Sequence, residues 1–257
     1  MQDSFDNEEP DTPTEPRVDF FHRTCSLRQQ LIVCFYEFLG TSMLVLGYNF
    51  TSAGLAVCFN LFVAILMASK ISGAMFNPAV TIALYLSRGA LQKNMVFIVL
   101  IISSQILGAY FGIIFAHLCL GQPAFLCPYD QLTGCYSYDS MLRVSLLEFW
   151  CTFFLAFIIV AQSYEITQES SDGILKAANI ALTLFAMIQT AGGISGGCFN
   201  PAFGLTQTTY QVGYINSLGM DGSIFSKYLW VYIAAPTVGG IASAFFMRFV
   251  HLPNIHK

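Results

Sequence analysis

The sequence predicts an all-α membrane protein, with six transmembrane helices plus two re-entrant half-helices arranged as an inverted repeat. Three observations carry this expectation. Apolar residues make up 55% of the 257-residue chain and charged residues only 10%, with a mean hydropathy of +0.62, whereas soluble domains carry about 25% charged residues. Six stretches, near 30–48, 53–69, 95–118, 143–163, 175–192 and 228–250, are apolar over roughly the 20 residues that a bilayer core requires. Finally, a long word occurs twice. It reads Ile71-Ser72-Gly73-Ala74-Met75-Phe76-Asn77-Pro78-Ala79-Val80, then Ile194-Ser195-Gly196-Gly197-Cys198-Phe199-Asn200-Pro201-Ala202-Phe203, and seven of its ten positions are identical. Repeats of this kind set the architecture.

Residues 1–29 precede the first span. Seven of the fifteen acids lie in the first 19 residues, together with Pro10, Pro13 and Pro16. This segment reads as a disordered acidic cytosolic tail with no signal peptide ahead of the first span. The net charge of −4 therefore belongs to the tail. The rest is nearly neutral, which excludes nucleic acid as a partner. A channel-like domain is expected over 30–250, in halves 30–118 and 143–250, followed by a cytosolic tail at 251–257.

Two shorter apolar stretches, about 77–87 and 201–212, follow the repeated words and each begins Asn-Pro-Ala. Proline suits the first turn of a helix, and asparagine just before it is a good cap. Each word is thus a Gly-rich loop feeding a half-helix too short to cross the bilayer. Basic residues orient the chain. With both termini cytosolic, nine of the eleven Lys and Arg residues fall inside, and only Arg143 and Lys227 fall outside. Each half also carries a Glu-Phe-x-x-Thr word: Glu37-Phe38-Leu39-Gly40-Thr41 in span one and Glu148-Phe149-Trp150-Cys151-Thr152 in span four. Three spans per half is an odd number, so the second half inserts upside down and the half-helices enter from opposite sides. Broken helices of inverted repeats meeting at the midplane form a transport architecture.

The chemistry of the repeated word follows from its position. Irregular backbone at membrane depth survives only where protein buries it or water lines it. Ser72, Gly73, Ala74 and Ser195, Gly196, Gly197 allow tight loops whose carbonyls turn toward a lumen. Asn77 and Asn200 each offer amide donors, and two half-helix N-termini add roughly half a positive charge each. A water oxygen accepting from both asparagines would have its hydrogens turned away along the pore, which breaks a proton wire, while the dipoles repel cations.

The paired Asn-Pro-Ala words, the Glu-Phe-x-x-Thr words, Gln105 with Gly108, and Pro236 with Gly239-Gly240 resemble the aquaporin (major intrinsic protein) family over about residues 30–250. The resemblance implies the hourglass fold, a homotetramer with one pore per subunit in the lipid bilayer, and transport of water or small neutral solutes such as glycerol and hydrogen peroxide. It implies no enzymatic activity, cofactor or metal. It assigns the pore motifs to Asn77, Pro78, Ala79, Asn200, Pro201 and Ala202, and makes Glu37 and Glu148 the hydrogen-bonding supports of the two loops. The family's four-residue outer constriction aligns to Val57, Ile188, Gly197 and Phe203. This departs from the family pattern: Phe203 stands where arginine is usual, Gly204 where the glycerol branch has aspartate, and Met75 where histidine is common. The constriction is therefore expected to be an apolar collar. An apolar residue in place of that arginine also resembles the superaquaporin branch. Both Asn-Pro-Ala words are intact, however, and Gln211 lies near the place of that branch's cysteine.

Two rival readings come from other classes. One is a structural or adhesive membrane protein whose pore Phe203 closes. The other is an intramembrane serine protease built on Gly193-Ile194-Ser195-Gly196. The protease reading is weaker because Ser72 occupies the same place in the first loop and neither His117 nor His251 lies near the midplane. Cys198, beside the constriction, is a candidate mercurial site. Asn49, in Asn49-Phe50-Thr51, is a candidate glycosylation acceptor. Cys119, Cys127 and Cys135 cluster around the outer loop, where a disulfide pairing is not readable.

Overall fold

The computed structural model describes residues 26–51, 54–128 and 141–255, and every regular element among them is helical. The order is α1 (Leu27–Phe50), α2 (Gly54–Ala68), α3 (Pro78–Ser87), α4 (Met95–Leu120), α5 (Met141–Ser163), α6 (Gly173–Ser195), α7 (Pro201–Ser217), the single turn α8 (Ser223–Ser226), α9 (Leu229–Phe246) and α10 (Leu252–Ile255). Cys135 and nearly all of the expected N-terminal tail lie outside the described residues. The stretches ending in α1, α4, α5, α6 and α9–α10 are long and apolar enough to cross a membrane. The remaining expected span, α2, has 15 residues, or about 22 Å at 1.5 Å per residue.

Several boundaries differ from the sequence expectation, each for a local reason. The first helix starts at Leu27, inside the expected tail, because Ser26 and Gln29 close a capping box. The Gln29 side-chain oxygen accepts from the Ser26 N–H at 2.9 Å. The second half-helix runs past 212 to Ser217. Gly213 has open space around it and does not break the helix, which ends before Gly219 at φ +76. At the other end of the chain, α9 continues through a π-turn over Met247–His251 into α10, so residues expected in the C-terminal tail are helical as far as Ile255.

The two halves pack by the same plan. α1 lies chiefly against α4, as α5 does against α9, and each half-helix leans on the third span of the other half, α3 on α9 and α7 on α4. Glycines permit the closest crossings. A Cβ on Gly108 would lie 2.2 Å from the Phe38 carbonyl oxygen, and one on Gly239 would lie 2.5 Å from that of Phe149. Phe38 and Phe149 are the second residues of the two Glu-Phe-x-x-Thr words, so these crossings are equivalent. The neighbouring Gly240 faces the carbonyl of Ala79, and the Gly239-Gly240 pair thereby brings α9 against both α5 and the start of α3. The two loop phenylalanines, Phe76 and Phe199, are fully buried in one central cluster with Cys58, Leu61, Cys151 and Leu155.

Gly108→Val should cost on the order of 1–3 kcal/mol or more, since the obstruction is backbone that cannot rotate away. Thermal unfolding in detergent should show a clear drop, while Gly213→Ala, which meets nothing within 4 Å, should melt like the wild type.

Candidate functional site

The repeated words form two loops of the same backbone shape. Gly73 and Ala74 have φ of +87° and +54°, and Gly196 and Gly197 have +90° and +69°. The phenylalanine before each asparagine is also left-handed, at +50° for Phe76 and +48° for Phe199. That conformation costs an L-residue roughly 1–2 kcal/mol, so something must hold it.

Two contacts do, and they repeat in each half. The Phe76 N–H donates to Glu37 Oε2 at 2.7 Å, and the Phe199 N–H donates to Glu148 Oε2 at 2.7 Å. The phenylalanine carbonyls accept from the opposite half: Asn77 Nδ2 donates to the Phe199 carbonyl at 2.8 Å, and Asn200 Nδ2 to the Phe76 carbonyl at 2.9 Å. The asparagine oxygens meanwhile cap the half-helices. Asn77 Oδ1 accepts from the Ala79 N–H at 2.9 Å, and Asn200 Oδ1 from that of Ala202 at 3.0 Å. Each amide thus has one N–H engaged by the opposite loop, and both residues line one cavity.

Among the described residues, both buried glutamates are satisfied by donors without a counter-ion. Glu37 accepts from Ser72 Oγ at 2.6 Å, the Met75 N–H at 3.0 Å, the Phe76 N–H and Gln105 Nε2 at 2.9 Å. Glu148 accepts from Ser195 Oγ at 2.7 Å, the Cys198 N–H at 3.0 Å and the Phe199 N–H. Ser195 therefore serves the loop. His117 instead meets the Tyr210 hydroxyl, and His251 sits edge-on to the Phe157 ring, so among the described residues no histidine stands ready to activate that serine.

A cavity of about 1220 Å³ passes these loops. Its lining includes Asn77 and Asn200 together with all four expected collar residues, Val57, Ile188, Gly197 and Phe203. Phe203 is 8% exposed and lies edge-on to Tyr48, ring centroids 4.7 Å apart, within a cluster that includes Tyr232. Ile188 reaches α2 at Gly54, where a Cβ would come within 2.7 Å of its Cγ2. Cys198 lines the cavity too, but its thiol donates to the Asn200 carbonyl at 3.2 Å and packs where Gly204 has no side chain.

Some site-forming residues were not singled out from sequence. Tyr48 lines the cavity, and its hydroxyl donates to the Phe125 carbonyl at 2.9 Å. Gln207 and Gln211, four apart on α7, hold the loop that follows α4. Gln207 Nε2 donates to the Ala124 carbonyl, and Gln211 both donates to and accepts from the backbone of Leu126. Their four-residue spacing, which puts both amides on one face of α7, was the available signal. Lys70, Arg88 and Lys176 line the far end of the cavity. Asn49 is corrected by the structure. It is buried, its Nδ2 donates to the Val45 carbonyl and to Gln207 Oε1, and its Oδ1 accepts from the Ala124 N–H. An amide so enclosed cannot carry a glycan. Among the described residues no two cysteines form a disulfide and no group of side chains could hold a metal.

Replacing Glu148 with leucine leaves three buried donors without an acceptor, at about 1–3 kcal/mol each. Size-exclusion profiles and thermal unfolding should show loss of folded protein, with Glu37→Leu at least as severe; a melting curve like the wild type's would refute the anchoring role. Asn49→Ala should lower the melting temperature, whereas glycosidase treatment of protein from eukaryotic cells should leave the mobility of the Asn49 band unchanged.

A sequence profile of the major intrinsic protein family matches residues 29–247. Aquaporin NIP1-2 of Arabidopsis thaliana is 32% identical over 206 residues, which cover 78% of this chain and 63% of that protein. Nodulin-26 of Glycine max is 29% identical over 224 residues, covering 84% of this chain and 73% of its own length. Among solved structures, the aquaglyceroporin from Plasmodium falciparum matches with a TM-score of 0.71 at 21% identity, covering 88% of this chain and 99% of that one; at that identity the likeness speaks for the fold.

Proposed function

The chain belongs to the major intrinsic protein family, whose members are membrane channels and not enzymes, and from that premise we propose a passive pore for water and small neutral solutes, glycerol and hydrogen peroxide among them. The observation that carries the reading is the cavity. Its lining runs from Tyr48, Phe125 and Cys127 near one mouth, past both asparagines, to Arg88 and Lys176 at the other. The remaining N–H of Asn77 and of Asn200 would each donate to a passing oxygen. The N-termini of α3 and α7 carry partial positive charge toward the same point, so cations are opposed and the hydrogens of a bound water are turned outward along the file. Protons and ions are excluded there.

The collar sets rate and preference. Val57, Ile188, Gly197 and Phe203 offer no side-chain donor, and the Tyr48 hydroxyl beside them is already bonded. Water passing them sheds hydrogen bonds without replacement, so conduction should be slower than through a filter lined by arginine, with less penalty for less polar solutes. A pore sealed by Phe203 is the weaker alternative, because that ring is held against Tyr48 and Tyr232 at the wall. The same reading takes a homotetramer in the bilayer with both termini cytosolic. Large exposed apolar side chains such as Phe59, Val96, Leu118, Trp150 and Leu182 suit lipid and neighbouring subunits.

Stopped-flow swelling of proteoliposomes should show permeability to water, glycerol or hydrogen peroxide above that of empty vesicles. Phe203→Arg should raise water permeability and shift preference toward water. No flux of any of the three would sink the channel reading, and an unchanged solute preference in Phe203→Arg would remove the collar from its role.

A further inference from the structure

A second concave feature lies on the outer surface of the bundle, apart from the pore. It is a groove of about 860 Å³ between α5 and α9, and eight of its eleven lining residues are Phe or Trp. That share sets it apart from an ordinary apolar helix face such as that of α2, which exposes Leu55, Phe59, Val63 and Leu66. On α5 the column Phe149, Phe153 and Phe157 recurs every four residues, and the last two rings stack with planes 4° apart. Phe246 closes in from α9, edge-on to Phe153 and Phe157 with ring centroids 5.7 and 5.3 Å away. Aromatic residues of membrane proteins ordinarily collect at the two interfaces. This column runs along the span instead. Phe149 follows Glu148, which holds the second loop where the two halves meet, and Phe157 lies eight residues further along α5, or about 12 Å at 1.5 Å per residue. One leaflet's share of a hydrocarbon core is about 15 Å, so the column is nearly one leaflet deep.

The groove's polar side chain stands at one end. His251 is edge-on to Phe157, with centroids 5.1 Å apart. It belongs to the π-turn Met247–His251, which brings three consecutive residues, Phe249, Val250 and His251, onto the groove; turns of this kind are common at functional sites. Arg248, on the same turn, is exposed. Its guanidinium lies 5.7 Å from the centre of the Phe249 ring, and a Cβ on Gly89 would come within 3.0 Å of its Nη1, so it reaches from α9 to the turn that ends α3. No carboxylate lines the groove.

We propose that this groove binds one anionic phospholipid of the leaflet at which α9 ends. An acyl chain lies along Phe149, Phe153 and Phe157, and the phosphate meets Arg248 and His251. Charge complementarity selects the headgroup: a guanidinium with no acid in the groove attracts a net negative lipid, whereas a zwitterionic one brings its own ammonium toward it. In the orientation proposed above, this leaflet is the cytoplasmic one, which carries anionic lipid. The rings hold one another in place, so a chain settling between them orders few side chains and loses little affinity to that cost. A soluble phosphate gains only the contacts of the head. The site is outside the pore and stands whether or not the pore conducts.

Native mass spectrometry of the full chain, released from micelles holding equal phosphatidylglycerol and phosphatidylcholine, tests this directly. Phosphatidylglycerol should be retained in preference, one molecule per chain, and excess glycerol 3-phosphate should not displace it. Arg248→Gln should cut the preference about five-fold, the effect of one basic side chain at a membrane surface. Ala242→Phe, which places a ring in the groove, should reduce retention of both lipids. Equal retention of the two lipids by the wild type overturns the proposal. So does displacement by glycerol 3-phosphate, which marks a phosphate site without a chain, or undiminished retention in Ala242→Phe. Should either variant fail to fold, the wild-type competition decides by itself.

Discussion

The reciprocal pair of hydrogen bonds between the loops, Asn77 to the Phe199 carbonyl and Asn200 to the Phe76 carbonyl, constrains everything around it. Both phenylalanines turn left-handed, and in that conformation their carbonyls face the other half. That turn brings the phenylalanine N–H to the side where a glutamate of the same half must receive it, since an unpaired donor is not tolerated in the bilayer interior. The glutamate must then be buried, and it is stable there because three or four donors surround it. Through this chain of requirements, one contact at the midplane determines why two acids sit inside two apolar helices.

The two halves meet these requirements by slightly different means. Equivalent crossings at Gly108 and Gly239 put Gln105 and Pro236, each three residues earlier, at corresponding places. Gln105 donates to both Glu37 and Thr81. Pro236 donates nothing, and Glu148 has one donor fewer. The second loop gains a different brace: the Tyr232 hydroxyl donates to the Ser195 carbonyl at 2.6 Å. Because Pro236 lacks an N–H, the Tyr232 carbonyl has no partner four residues on in its own helix, and it lies against α7 at Gly204, where a side chain would come within 2.9 Å. Gly204 is thus required for packing against α9, whatever it means for solute choice.

Much of this was legible in the chain because the information was repeated. The two Asn-Pro-Ala words, the two Glu-Phe-x-x-Thr words and the run of apolar stretches stated the fold twice, and a local cap such as Asn77 follows from its neighbours in sequence. What was not legible depends on contacts between distant residues. That Asn49 spans to Ala124 and Gln207 cannot be seen in a three-residue sequon, which reads the same on a surface loop. Ile188 against Gly54, and Phe203 against Tyr48, join different helices of one mouth and have no spacing to betray them. α7 and the continuous stretch from α9 through α10 ran past expectation because nothing in Gly213 or the 247–251 turn was strong enough to stop a helix already held by packing.

The polar work of the pore is unevenly placed. At the midplane it rests on two amide N–H groups and two helix ends, which are backbone features that the fold itself guarantees. The four collar residues Val57, Ile188, Gly197 and Phe203 would contribute shape alone, with the Gln189 amide beside them at Gly54. Basic side chains and Gln162 lie on the far side of the asparagines, so the positive field extends from the midplane toward one mouth only. A cation entering from that mouth meets rising opposition throughout its path, whereas from the other it meets first a loss of hydration and then the field. On the proposed reading, ion exclusion would not need a charged side chain at Phe203, because desolvation at an apolar ring and repulsion at the helix ends would act in series. Discrimination among neutral solutes has no such reserve. On the proposed reading it would come from the width between Ile188, Gly54 and Phe203, from the Gln189 amide beside Gly54, and from whatever hydrogen bonding the inner half provides.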